Sequence, residues 1–227
     1  MSKLILYHGS KDIIEKPIYH KGKKENDYGF GFYCTENDEL AKEWACSNNE
    51  SNGFSNKYSV DITNLKILDL TDKRYSILNW IAILLKNRTF DLSNDISILA
   101  KDYLIKNFYI DVNQFDIVIG FRADDSHFSF AKDFINNTIP VRKLNKAMAL
   151  DELGKQVVII SELAFNRLHF ENFEIANSLE YFIKRKTRDE KARTNYIDNI
   201  RNSNIIVNDL FIIDIIRRGL KDGDKII

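Results

Sequence analysis

Apolar and polar positions recur along this chain with two periods, and each predicts its own kind of element. Leu4-Ile5-Leu6-Tyr7 is a short continuous apolar run, the mark of a strand buried on both faces. Residues 30–34 predict a second strand. Thr35 then stands as a helix N-cap with acids behind it, and residues 38–47 put Leu40, Ala41, Trp44 and Ala45 on one helical face, with Trp44 expected as a core anchor. A polar loop over 48–56 precedes strands at 58–62 and 66–70, joined by a turn at Thr63 and Asn64. Two amphipathic helices follow. The first, 75–86, carries the stripe Leu78, Ile81, Leu84 and Leu85; the second, 96–108, carries Leu99, Tyr103 and Leu104.

The pattern continues with a strand at 115–120 that ends in Gly120, a helix at 127–136 and a proline-containing connector at 139–144. A short helix is expected to begin at 150–152. Gln156 opens an apolar strand to Ile160, followed by a helical turn at 162–168 and an edge strand at 168–173. Beyond residue 174 the chain turns helical and strongly charged. The expectation is an α+β domain over 1–174 with a C-terminal helical appendage over 175–227. The run from Lys184 to Arg193 reads as a solvated, salt-bridged helix face or as a partner-binding surface.

Composition narrows this little. With 44% apolar and 29% charged residues and a formal net charge of zero, the chain reads as an ordinary globular protein with no global bias toward nucleic acid or anionic membranes. Cys34 and Cys46, the only cysteines, are too few for a disulfide framework and lack metal-ligand spacing, so no metal is expected. The start of the chain lacks a signal-peptide core, and the apolar stretch at 210–216 is broken by Asp214, so a cytoplasmic protein without a membrane span is expected.

The chemistry concentrates in two segments, Tyr7-His8-Gly9-Ser10 and Gly29-Phe30-Gly31-Phe32-Tyr33-Cys34-Thr35. They hold three of the nine glycines. Glycine collects where a backbone turns sharply or a ligand comes close. A histidine can hydrogen-bond a ribose hydroxyl, and a tyrosine can stack on a flat heteroaromatic ring. Gln156, opening a late strand, can hold a second hydroxyl. Each also has a plainer reading: His8 as a structural histidine, Tyr33 as a sheet-face aromatic, Gln156 as a strand-edge amide. Asp124 and Asp125 read equally as an acid pair at the mouth of a site and as caps for the next helix. The basic loop Lys21-Gly22-Lys23-Lys24 suits a pyrophosphate or plain solvent. His20, His127 and His169 have no companions and are expected to be structural or solvated.

These two segments, with Asp27-Tyr28, Ala41-Lys42-Glu43-Trp44-Ala45, Asp116-Ile117-Val118-Ile119-Gly120 and Ala123-Asp124-Asp125, resemble the DUF3990 family and, through it, the diphtheria-type His-Tyr-Glu lineage of ADP-ribosyltransferases. The resemblance covers residues 4–173. It implies a split, bent pair of β-sheets with flanking helices, and NAD+ as substrate. It implies that His8 binds the adenosine-side ribose and that Gly9 offers its backbone to the carboxamide. Tyr33 would stack on nicotinamide, with Ser10 and Gly31 beside the ligand. The third motif residue would be Gln156 where that lineage normally has Glu, with Glu152 and Glu162 as flanking substitutes. A neutral amide stabilises developing oxocarbenium charge less than a carboxylate does. The implied activity is transfer of ADP-ribose to an unidentified protein or nucleic-acid acceptor, with a catalytically weak NAD or ADP-ribose binding module, or an NAD glycohydrolase, as alternatives.

Overall fold

A computed structural model describes residues 2–92, 94–123, 125–149 and 154–226, the side chains of 125–127 excepted. The first sheet is antiparallel: β1 (Lys3–Ser10), β3 (Gly53–Asp61) and β7 (Leu168–Ala176), in the order β1-β3-β7. The second holds β2 (Phe32–Cys34), β6 (Lys155–Ile159), β5 (Ile117–Phe121) and β4 (Ile67–Asp69), in the order β2-β6-β5-β4, with only the β4–β5 pair parallel. The sheets meet at a single bridge among the described residues. There Tyr7 N–H donates to Thr35 O at 2.8 Å and Thr35 N–H to Tyr7 O at 2.9 Å. The fold is thus mixed α+β, with two open sheets.

The described residues form eight helices: α1 (Asp38–Ala45), α2 (Ile77–Asn87), α3 (Asp95–Phe108), α4 (Asp125–Ile135), α5 (Val141–Met148), α6 (Glu162–Phe165), α7 (Ser178–Asn195) and α8 (Ile212–Arg218). Alternation along the second sheet sends Val118 and Val158 into a large core with α2, α3, α4 and α5. The opposite face sends Ile117, Val157 and Ile159 into a smaller core shared with Leu6, Tyr58 and Val60 of the first sheet. No helix among the described residues is long and apolar enough to cross a membrane.

Several elements differ from the pattern-based expectation. β1 continues through His8, Gly9 and Ser10, because Asn56, Ser55 and Phe54 of β3 pair with them. β3 begins at Gly53, inside the expected loop; its polar Ser55 and Asn56 are buried, which hydropathy does not foresee. The strands expected at 58–62 and 66–70 enter different sheets, and Asn64 between them adopts φ 60°. Asn37, not Thr35, caps α1: its side chain accepts from Leu40 N–H, while Thr35 is committed to the bridge. Trp44 is half-buried rather than a core anchor. Leu99 is 48% exposed, and Ala100, Leu104 and Phe108 face the core instead. A helix covers 141–148 and takes up most of the connector expected at 139–144; Pro140 sits at the N-cap, where a missing N–H is tolerated. The stretch expected to start a helix at 150–152 lies outside the described residues.

The C-terminal segment packs as part of the molecule. Ala192, Tyr196, Ile200, Ile212 and Ile215 join the large core. The Lys184–Arg193 run forms ion pairs as expected, with Lys184 on Glu39 and Glu180, Arg188 on Glu43, and Arg193 on Asp189.

Candidate functional site

His8 lies on β1 with its ring stacked on Phe32, centroids 4.3 Å apart. Its Nδ1 is 2.7 Å from Tyr33 O. A carbonyl only accepts, so Nδ1 carries the proton and, in the neutral ring, Nε2 is an acceptor. Burial lowers the imidazole pKa from its ordinary 6.5, with the Tyr33 carbonyl pulling the other way. Nε2 has no hydrogen-bond partner among the described residues.

The Tyr33 hydroxyl donates to Gly29 O at 2.7 Å and accepts from Tyr28 N–H at 3.1 Å. Gly29, at φ 76°, supplies the left-handed turn that folds residues 28 and 29 around that hydroxyl. Burial pushes the phenol pKa up, so it stays protonated. Gln156 is 3% exposed and does not line the cleft that holds His8. Its Nε2 donates to Asp27 Oδ2 at 2.9 Å and to Phe121 O at 3.0 Å. Asp27 is also held by Arg88 Nη1 at 3.1 Å and Ala123 N–H at 2.8 Å. Burial raises the Asp27 carboxyl pKa, and these donors oppose the rise. Gln156 shares a sheet face with Tyr33, since Tyr33 pairs with Val158 two residues away. Residues 27–29 therefore tie both side chains to one loop.

Around His8 opens a cleft of about 760 Å3, lined by Gly31, Tyr33, Phe165, His20 and Lys21 among others. The segment between β1 and β2 forms much of its wall. Tyr19 and His20 stack at 3.9 Å, His20 and Phe30 at 5.0 Å, and Phe165 meets Tyr19 edge-on. Of the basic loop, Lys21 and Gly22 line the cleft, whereas exposed Lys23 and Lys24 do not. The segment is anchored by buried Asn56, whose Nδ2 donates to His8 O and Ser10 Oγ and whose Oδ1 accepts from Ile14 N–H. Gly9 has a packing reason of its own: a Cβ there would sit 1.9 Å from Ala41 O, so its missing side chain lets β1 lie against α1. Ser10 Oγ donates to Asp12 O.

The expected residues thus divide. His8, Gly31 and Tyr33 meet at the cleft; Gly9 and Ser10 serve the strand beside it; Gln156 is buried in the Asp27 network. Glu162 is exposed at the start of α6, past the far end of β6. Asp124, the Asp125 side chain and Glu152 lie outside the described residues, as does the side chain of His127. Among the described residues no group of three or more His, Cys, Asp or Glu could hold a metal ion. Sequence reasoning missed Asn56; it quoted Asp27 only within the family resemblance and read His20 as structural, and His20 lines the cleft. Asn and Asp are ordinary loop residues, and only the pairing of β1 with β3 reveals that Asn56 is buried.

The class so defined is an α+β protein with a ligand-sized, aromatic-walled cleft beside the junction of two sheets. The family profile described as "Protein of unknown function (DUF3990)" matches residues 4–170, and the chain belongs to that family. No curated protein and no solved structure matches the chain.

Proposed function

We propose that this chain is an NAD-dependent ADP-ribosyltransferase. The observation that carries the reading is His8. It lines a cleft of about 760 Å3 that Tyr33 and Lys21 also line, and with Nδ1 held by Tyr33 O its neutral ring has Nε2 as the acceptor. Nε2 accepts a ribose hydroxyl, the aromatic walls receive flat rings, and Lys21 faces the pyrophosphate charge. The bond from ribose C1′ to the pyridinium nitrogen then breaks, its electron pair leaving with neutral nicotinamide. A nucleophile on a protein or nucleic acid bonds to C1′ of the oxocarbenium ion and loses its proton; water in that place makes the reaction an NAD glycohydrolysis.

One observation favours a second reading, a catalytically weak NAD or ADP-ribose binding module. Gln156 is a neutral amide, and its Nε2 is engaged by Asp27 and Phe121. Developing positive charge at C1′ would then lack a carboxylate. Nicotinamide release from NAD+, with and without cell extract, separates the two when run beside calorimetry. Transferase activity predicts release that His8→Ala and Tyr33→Ala abolish. Binding without release supports the module, and neither binding nor release sinks both.

A further inference from the structure

Asp12 and Glu15 both line the His8 cleft, and neither side chain has a hydrogen-bond or ion-pair partner among the described residues. Their backbones differ. Buried Asn56 stands opposite His8 in the pairing of β1 with β3. Its Nδ2 donates to His8 O at 3.2 Å and to Asp12 O at 3.3 Å. One nitrogen within reach of both carbonyls sets the two residues side by side. Ser10 Oγ donates to the same Asp12 carbonyl, and Ile14 N–H donates to Asn56 Oδ1 at 2.9 Å. Tyr58 Oη donates to Ile14 O. The backbone that carries the Asp12 carboxylate is therefore fixed from a buried strand, whereas no described hydrogen bond holds the Glu15 peptide. Such fixation lowers the ordering cost of a ligand contact.

Neighbouring residues of one cleft thus bring two acceptors. In the neutral His8 ring Nε2 accepts, because Nδ1 donates to Tyr33 O. A carboxylate accepts only, and a hydroxyl gives it a charge-assisted hydrogen bond. Two adjacent acceptors match two hydroxyls on adjacent carbons, a vicinal diol. A phosphate ester at either hydroxyl removes one donor and sets a like charge beside the carboxylate, an arrangement that is strongly disfavoured. An acid on the ribose hydroxyl is the general means by which dinucleotide sites take the form without a 2′-phosphate.

Given the dinucleotide reading of the cleft, on which this rests, we propose that Asp12 is its specificity-determining residue. With His8 it takes the free diol of the adenosine-side ribose, so the chain binds NAD+ and rejects NADP+, whose ribose there carries a 2′-phosphate. Lys16 and Lys21 also line the cleft. Their charge attracts the phosphates of both dinucleotides and does not supply the preference for NAD+. Glu15 has the same charge as Asp12 in the same cleft but lacks the fixed backbone beside His8, which makes it the natural control.

The test titrates NAD+ and NADP+ into the full chain by calorimetry, beside Asp12→Asn and Glu15→Gln, which remove the same charge. Asp12 is held through its carbonyl and its side chain is exposed, so Asn at this position keeps the hydrogen bonds that fix the segment. Should circular dichroism nonetheless show Asp12→Asn unfolded, Asp12→Ser decides by the same ratio. Wild type is expected to bind NAD+ about tenfold or more tighter than NADP+, the scale of one charge-assisted hydrogen bond. Asp12→Asn should bring the two within about threefold, by weakening NAD+ and improving NADP+, while Glu15→Gln keeps the wild-type ratio. A merely structural role would weaken both dinucleotides alike and leave the ratio unmoved. Equal affinities in wild type, or an unchanged ratio in Asp12→Asn, overturns the proposal. An equal change of ratio in Glu15→Gln reduces the effect to bulk charge and overturns it too. NAD+ binding without preference sinks this proposal alone, whereas no binding of either dinucleotide sinks the dinucleotide reading and the proposal with it.

Discussion

His8 is tuned by burial toward the neutral form, and the sign of the consequence can be stated. A base whose folded pKa lies below its unfolded value holds fewer protons when folded. Its contribution to stability is complete above pH 6.5 and is lost as pH falls through 6.5 toward the folded value. Wild type should lose more melting temperature than His8→Gln on acidification through that window, as calorimetric melts would read; parallel losses would contradict it. Gln156→Glu has an opposite signature. The new carboxylate would stand where an amide donates to Asp27 and Phe121 O, facing two acceptors in a buried site. A loss of roughly 3–5 kcal/mol at neutral pH is expected. The loss should shrink on acidification, because the pair's pKa values are raised and a shared proton restores a donor. Urea unfolding at neutral and acid pH measures both. At this scale His8 and Tyr33 were legible because glycines marked them. Gln156 was legible as a strand opener, but which group it faces depends on Asp27, far away in sequence.

Packing of elements tells why Gly9 and α1 belong together. Gly9→Ala drives a methyl into the Ala41 carbonyl and toward Ala45 N. Overpacking of this kind costs roughly 1–3 kcal/mol, and a lower urea midpoint with an unchanged slope is the expected result; an unaltered midpoint would refute the close approach. Strands and helices with a clean period were legible: β5, β6, α2 and α4 fall within a few residues of their expected places. Others were not, for identifiable reasons. β3 buries Ser55 and Asn56 through side-chain hydrogen bonds that hydropathy treats as loop character. Pro140 suggested a break, whereas proline at a helix start is compatible with the helix that follows.

Across the whole molecule, the C-terminal segment is fastened at several points. Tyr103 donates to Leu220 O at 2.7 Å, Asn79 to Asp222 at 2.9 Å, and Tyr196 to Asp133 at 2.6 Å. Removing residues 177–227 would uncover the core that Tyr196, Ile200, Ile212 and Ile215 fill. The truncated chain should bind an apolar dye and lose its near-ultraviolet dichroism, while the full chain unfolds in one transition by both probes; a truncated chain with native dichroism would show that the segment is dispensable. The change near residue 175 was legible from the charged surface of α7. Its docking was not, because the apolar residues that dock are spread thinly among polar ones. The bridge at Tyr7 and Thr35 has a further consequence. Among the described residues the two sheets are sewn by one stitch, with His8 one residue beyond Tyr7 and Tyr33 two residues before Thr35. A ligand gripping both side chains would act as a second stitch, so the Tyr7 and Thr35 amide protons should exchange more slowly with solvent when the cleft is filled.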